Sequence, residues 1–250
     1  MIGAPGLVFV SGWSTGAGAW NGVLAALPPL PVAHLDWWTA LADPAAAFAE
    51  AAAAANDRAG RPTAAPVIAV GWSLGGQIAA RAAIDAPKAI SDLLLVSTPA
   101  RLLADETGLG ADPISLRAMR QGLRRDADAI VEGFWAEALA GDRTGFDFAA
   151  EKDTFLADLD AKTLDAGLAA LADTDLRRHL PRIAAATLVI QGGDDRIVGA
   201  HAAQAFAQGV PGATVLAVAD GSHALPLTHP RMIAEIVAAL VGTHTGGACR

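Results

Sequence analysis

The chain has 250 residues, a formal net charge of −8, 53% hydrophobic residues and 18% charged ones. That composition excludes disorder and suits one large domain, or one domain carrying an insertion. The acidic balance argues against nucleic acid as a partner, and the lone cysteine, Cys249, has no mate for an internal disulfide.

Gly6–Val10 is a short apolar strand, followed by the glycine-rich loop "SGWSTGAGAW" and a helical stretch to about Leu27. Leu30–Asp36 reads as a second strand. Pro44 opens an alanine-rich helix that ends near Gly60, with proline in the first turn and glycine past the end. No lysine or arginine precedes Arg58, so no secretory signal is expected. Val67–Gly71 is the third strand, Leu74–Ala86 its helix, and Asp92–Ser97 the fourth strand. From about Arg101 to Arg178 no strand is expected, and the spacing predicts roughly four charged helices. Strands resume at Ala186–Gln191 and Ala213–Val218, with helices near His201–Gln208 and over Pro230–Leu240. No run is apolar for long enough to span a bilayer, so a cytoplasmic protein without membrane contact is expected.

Alternating strands and helices imply a mostly parallel sheet of about six or seven strands with helices on both faces. Residues 1–100 and 179–243 then form the core, residues 101–178 a helical lid inserted after the fourth strand, and residues 244–250 a flexible tail.

Gly71-Trp72-Ser73-Leu74-Gly75 matches G-x-S-x-G at a strand-to-helix junction. A tight turn there lifts the Ser73 hydroxyl to the C-terminal edge of the sheet, and small neighbours avoid a clash. A serine hydroxyl is a poor nucleophile until a base takes its proton. For this architecture the base is a histidine after the last strand, oriented by an acid after the preceding one. Of six histidines, His223 follows the last strand by a few residues, on a loop. His229, just before Pro230, is the fallback and reads better as the start of a helix. For the acid, "GGDDRIV" offers Asp194 and Asp195, and distance from the strand end favours Asp195. The N–H of Leu74, at the helix start, and that of Trp13, in the loop after the first strand, are the expected oxyanion donors. Trp13 and Trp72 are candidates to wall an acyl pocket, although both also fit a plain core role.

"SGWS", "GWSLGG", "GGDDRIV" and "GSHALPLTHP", in this order and spacing, resemble the α/β-hydrolase superfamily over nearly the whole chain. Within it, "GW" after the first strand, "GWSLGG" and the return segment "GLAALADTDLRRHLPRIAAATLVIQGGDDRIV" are most similar to the pimeloyl–[acyl-carrier protein] methyl ester esterases of biotin synthesis. The resemblance implies an α/β-hydrolase fold and a serine carboxylesterase. Ser73 is then nucleophile, Asp195 acid and His223 base, with Trp13 and Leu74 as the oxyanion hole and no metal or organic cofactor. Lactonase, thioesterase and carbon–carbon hydrolase chemistry fit the same scaffold, as does a ligand-binding protein without catalysis. Two departures stand out: Ser11-Gly12 replaces the usual His-Gly, and "HLDWWTALADP" replaces the usual D-x-P-G-x-G-x-S loop. A partner acyl carrier protein would want a basic patch near the pocket. Arg117, Arg120, Arg124 and Arg125 share one helical face and are the candidates, while a merely solvated face fits the same pattern.

Overall fold

The computed structural model describes residues 4–246, so Cys249 lies outside the described residues. Its six strands are β1 Leu7–Val10, β2 Val32–Leu35, β3 Val67–Trp72, β4 Ile90–Val96, β5 Ala186–Gly192 and β6 Thr214–Val218. They form one sheet in the order β2-β1-β3-β4-β5-β6, parallel throughout. Each strand read from the sequence is present, with its ends moved by at most two residues.

The strands are short, apolar and buried on both sides, as parallel strands between helical layers must be. Side chains alternate faces. Val8, Val10, Ala69, Leu93 and Leu95 point into one apolar layer; Leu7, Phe9, Ile68, Val70, Trp72, Leu94 and Val96 point into the other. Each such aliphatic side chain stabilises the fold by about 2 kcal/mol on burial.

In chain order the first helices are α1 (Asn21–Ala26), α2 (Trp37–Ala40), α3 (Pro44–Arg58) and α4 (Leu74–Asp85). The last are α9 (His201–Gly209), α10 (Leu225–Thr228) and α11 (Pro230–Thr245). Helices α3, α4 and α9 cover the first layer, and α1 and α11 the second. In α3 the Asp43 carboxylate accepts from the Ala46 N–H at 3.0 Å, and Pro44 occupies the first turn. Its alanines let the helix lie close to the sheet: a Cβ on Gly6 would come within 3.0 Å of Ala55. Helix α11 runs past the expected end at Leu240 to Thr245, so His244 is helical rather than part of a tail, and its Nε2 lies 2.5 Å from Asp92 Oδ2.

Between β4 and β5 stand four helices: α5 (Pro113–Leu123), α6 (Ala127–Ala138), α7 (Phe148–Phe155) and α8 (Ala161–Asp173). Each starts at an aspartate (Asp112, Asp126, Asp147 or Asp160) whose carboxylate accepts a backbone N–H of the first turn. Such a cap typically contributes about 1 kcal/mol. The two ends of this block are joined where they leave the sheet. Leu176 N–H donates to the Ala100 carbonyl at 2.9 Å, and the Arg177 guanidinium bonds Asp175 and Asp105. Hydrogen bonds from Thr107 and Arg177 hold the Asp105 carboxyl well below the usual range, and Arg177 does the same for Asp175. Among the described residues no helix is long and apolar enough to cross a membrane.

Candidate active site

The order 2-1-3-4-5-6 places a topological switch between β1 and β3, where successive connections leave in opposite directions and open a crevice. Ser73 follows β3 at that crevice. Its backbone has φ 54° and ψ −119°, a left-handed conformation that costs a non-glycine residue on the order of 1–3 kcal/mol. The surroundings enforce it. A Cβ on Gly75 would lie 2.3 Å from the Val10 carbonyl oxygen, and one on Gly71 2.5 Å from the Gly76 Cα. Only glycine permits β3, the turn and α4 to approach so closely.

The turn brings the Ser73 hydroxyl to the imidazole expected from the sequence. Ser73 Oγ lies 3.2 Å from His223 Nε2, and His223 Nδ1 lies 2.9 Å from Asp195 Oδ2. A carboxylate only accepts, so Nδ1–H donates to Asp195 and Nε2 is left to accept the serine proton. Asp195 is buried, and both oxygens are fully engaged. Oδ1 accepts from Ile197 N–H (2.9 Å) and Val198 N–H (2.8 Å), while Oδ2 accepts from Gln191 Nε2 (3.1 Å) as well as from His223. Gln191 also donates to the Val198 carbonyl at 2.7 Å. The loops after β5 and β6 are bound to each other: Gly193 N–H donates to the Val218 carbonyl (2.8 Å) and Asp194 N–H to that of Gly221 (3.0 Å). That pairing sets Asp195 beside His223.

His223 is clamped through its main chain. Its N–H donates to the Ala138 carbonyl at the end of α6 (3.1 Å), and its carbonyl accepts from Trp72 Nε1 (3.0 Å). Phe134 of α6 packs edge-on to the imidazole at 6.1 Å. Trp72 is fully buried between Trp135 and His223 and is not among the residues lining the cavity beside Ser73. Its contribution is to hold the histidine loop. Trp13 does line the cavity, with its indole N–H donated to the Leu164 carbonyl at 2.9 Å and its ring edge-on to Phe134.

The Gly12 Cα region rests on Ser73, since a Cβ there would come within 3.4 Å of the serine Cβ. The loop after β1 is thus in reach of the hydroxyl. Neither the Trp13 nor the Leu74 backbone N–H has a hydrogen-bond acceptor among the described residues. The cavity holds about 370 Å³ and is walled chiefly by Trp13, Leu102, Leu116, Phe134, Leu168 and Ile197. It suits an apolar chain ending at Ser73.

His229 lies outside this arrangement, pairing through Nδ1 with the Thr228 hydroxyl at 2.9 Å where α11 begins. Asp194 is half-exposed and sits 3.8 Å from Arg143 rather than near the imidazole. Arg117, Arg120 and Arg124 line a separate groove of about 340 Å³, and Arg125 lies past the end of α5 outside it. Arg120 is held by Asp165 of α8 through bonds of 2.7 and 3.1 Å, and that guanidinium keeps the Asp165 carboxyl below its usual range. Gln191 and the Ala138 carbonyl are the site contacts that sequence reasoning missed. A glutamine closing the apolar strand "ATLVIQ" was the available signal for the first; the second has none. Among the described residues no group of three or more His, Cys, Asp or Glu side chains is placed to hold a metal ion.

The sequence pattern of the alpha/beta hydrolase family matches residues 7–236. The chain is similar to the pimeloyl-[acyl-carrier protein] methyl ester esterase of Xanthomonas oryzae pv. oryzae, 30% identical with 96% of each chain covered. It is 29% identical to the enzyme of the same name from Vibrio vulnificus, covering 95% of this chain and 94% of that one. Among solved structures, a bromoperoxidase from Bacillus anthracis superposes with a TM-score of 0.77 at 20% identity, over 96% of this chain and 92% of that one. An esterase from Exiguobacterium antarcticum superposes with 0.76 at 17% identity, over 96% and 93%. The described fold, with a serine at its sharp β3–α4 turn, and the match over residues 7–236 agree: this chain belongs to the alpha/beta hydrolase family.

Proposed function

We propose that this hydrolase is a serine carboxylesterase in which Ser73, His223 and Asp195 act as a triad. The observation that carries the reading is the unbroken run of contacts from the Ser73 hydroxyl through both imidazole nitrogens to a buried carboxylate, opening on an apolar cavity. Ser73 Oγ attacks the ester carbonyl carbon while His223 Nε2 takes its proton. Asp195 holds the tautomer and stabilises the imidazolium. The Trp13 and Leu74 N–H groups receive the oxyanion of the tetrahedral intermediate, each worth about 3 kcal/mol in the transition state. The intermediate collapses, the C–O bond to the alcohol breaks, and His223 returns the proton to that alcohol. Water then attacks the acyl-serine, again giving its proton to His223, and the acid leaves as Ser73 is restored. The chain's side chains and backbone N–H groups, with water, supply every group in this sequence of steps.

Residues 101–178 serve as the lid over this site, and the acyl chain of the substrate lies in the cavity beneath it. The names of the relatives, aligned over nearly their full lengths, favour the methyl ester of a pimeloyl chain on its carrier protein as substrate. On that reading an acidic carrier docks beside α5, where Arg117, Arg124 and Arg125 are exposed and Ile114 projects with 74% exposure. Arg120, spent on Asp165, braces α5 instead.

Labelling with a fluorophosphonate probe tests the triad: wild type reacts and Ser73→Ala does not. Folded wild-type protein that fails to label, or a Ser73→Ala variant that still labels, sinks the esterase. The substrate is tested by rescue of a biotin-requiring strain lacking its own methyl ester esterase. Failure of rescue by a protein that hydrolyses nitrophenyl esters leaves the esterase and removes the biotin assignment. Arg117→Glu with Arg124→Glu should slow the carrier-linked ester while sparing nitrophenyl acetate; equal rates on both remove the docking site.

A further inference from the structure

We infer that Gly133 is a specificity-determining residue, which holds open the cavity mouth for an ester whose acyl part is long enough to cross α6. The inference rests on the esterase reading of Ser73 and goes beyond it by assigning the substrate's path.

Gly133 stands in the interior of α6, where glycine is costly relative to alanine because it surrenders more backbone freedom on folding. Other interior helix glycines here have a packing reason. A Cβ would lie 1.9 Å from Thr98 Oγ1 at Gly76, 2.4 Å from Ile130 Cδ1 at Gly122, and 2.6 Å from the Trp37 ring at Gly167. At Gly133 a Cβ meets no atom within 4 Å, and the backbone is not left-handed. Neither packing nor conformation calls for glycine. Gly242, in the last turn of α11, also has open surroundings, but of the two only Gly133 lines the cavity that contains Ser73.

The neighbours say what the space is for. Ala129, Gly133 and Glu137 follow one another at four-residue spacing along one row of α6; all three are exposed and all line the cavity. The half-buried Ile130 and Phe134 lie beside that row and form the wall behind it. The row is therefore the rim. Glu137, at its end, comes within 4.0 Å of Arg196, which lines the same cavity from the loop after β5. The only part of this rim without a side chain is Gly133. A leucine there would project into the mouth, leaving Ser73 and the inner walls at Leu102, Leu168 and Ile197 as they are. The substrate class that needs this gap is an ester of an extended acyl chain; an acetate ester, confined near Ser73, does not.

The test compares p-nitrophenyl acetate with p-nitrophenyl decanoate in wild type, Gly133→Ala and Gly133→Leu. Gly133→Ala should melt about 2–4 °C higher than wild type. Gly133→Leu should lower the decanoate-to-acetate ratio of kcat/KM at least about tenfold. An unchanged decanoate-to-acetate ratio in Gly133→Leu, or an equal loss on both esters, overturns the inference. If wild type hydrolyses neither ester, the Ser73 reading fails and binding decides Gly133 separately. Sodium decanoate titrated against tryptophan fluorescence should then bind at least about tenfold more weakly to Gly133→Leu, and equal binding overturns the role.

Discussion

At the C-terminal edge of the sheet, glycines are places where nothing else fits: a methyl on Gly75 would sit 2.3 Å from a carbonyl oxygen. In the helical block above it, Gly133 faces open space. The two regions also differ in what holds them. The loops carrying Ser73, Asp195 and His223 are locked by buried hydrogen bonds, with backbone bonded to backbone and Trp72 and Gln191 bonded into them. The block is anchored underneath by the Ala138–His223 and Trp13–Leu164 bonds and the buried Trp135, while its outer side carries exposed aspartate caps, the Arg120–Asp165 pair and the Arg177 cluster at its base. Buried networks lose a whole geometry when one member is removed, whereas exposed pairs lose little. Buried bonds thus fix the geometry around Ser73, Asp195 and His223, whereas the pairs on the outside of the block can be lost at little cost.

The comparison breaks most visibly at Asp195. Asp195→Asn keeps the shape but no longer imposes the right tautomer on His223, and kcat for nitrophenyl acetate should fall by about 10⁴-fold. A fall below about tenfold would mean the carboxylate only braces the loop. Next comes Gly75→Ala, which should destabilise by about 3 kcal/mol, read as a lower urea midpoint. The same glycine-to-alanine change at Gly133 stabilises, so opposite signs at the two sites are the sharpest form of the contrast. Gln191→Leu removes one of the two donors to Asp195 Oδ2 at nearly constant volume. It should lower kcat about tenfold with KM unchanged; a change in KM alone would place Gln191 outside the triad's support. Smallest is Arg120→Ala, which frees a partly exposed pair and should cost no more than about 1 kcal/mol by thermal melting.

Acid should separate the regions. Asp105, Asp165 and Asp175 are held below the usual carboxylate range by hydrogen bonds, chiefly from Thr107 for the first and from arginines for the other two. Their contribution is complete above the unfolded-state pKa near ~3.9 and is lost as pH falls through the depressed folded values. Pepsin cleavage on acidification below about pH 4 should therefore begin within residues 101–178. First cuts in the sheet would show that these carboxylates do not hold the block.

Much of this was legible along the chain because it is local. Apolar runs of four to seven residues between turn signals mark every strand of the sheet. The G-x-S-x-G motif at a strand-to-helix junction marks the turn that forces Ser73 to positive φ. His223 and Asp195 stand after the last two strands, where the sequence pattern looks for a base and an acid, and the fold sets them 2.9 Å apart. An aspartate also precedes each of α5 to α8, a capping signal that the sequence carries and that the reading from helical spacing did not use.

Other features depend on which surfaces meet, and no local pattern states that. Trp72 could have faced a pocket or the core; the packing of Trp135 against it turned its indole toward the His223 carbonyl. Arg120 shared a helical face with Arg117 and Arg124, yet the crossing of α5 and α8 paired it with Asp165. His244, read as part of a tail, lies in α11 with its Nε2 beside Asp92 of β4. The sequence by itself determined the strands and most of the helices, because periodicity and turn chemistry act over a few residues. Only the tertiary structure decided the partners of buried polar groups and the shape of the cavity, because those follow from contacts between segments as far apart as Trp72 and His223, Ala138 and His223, or Trp13 and Leu164.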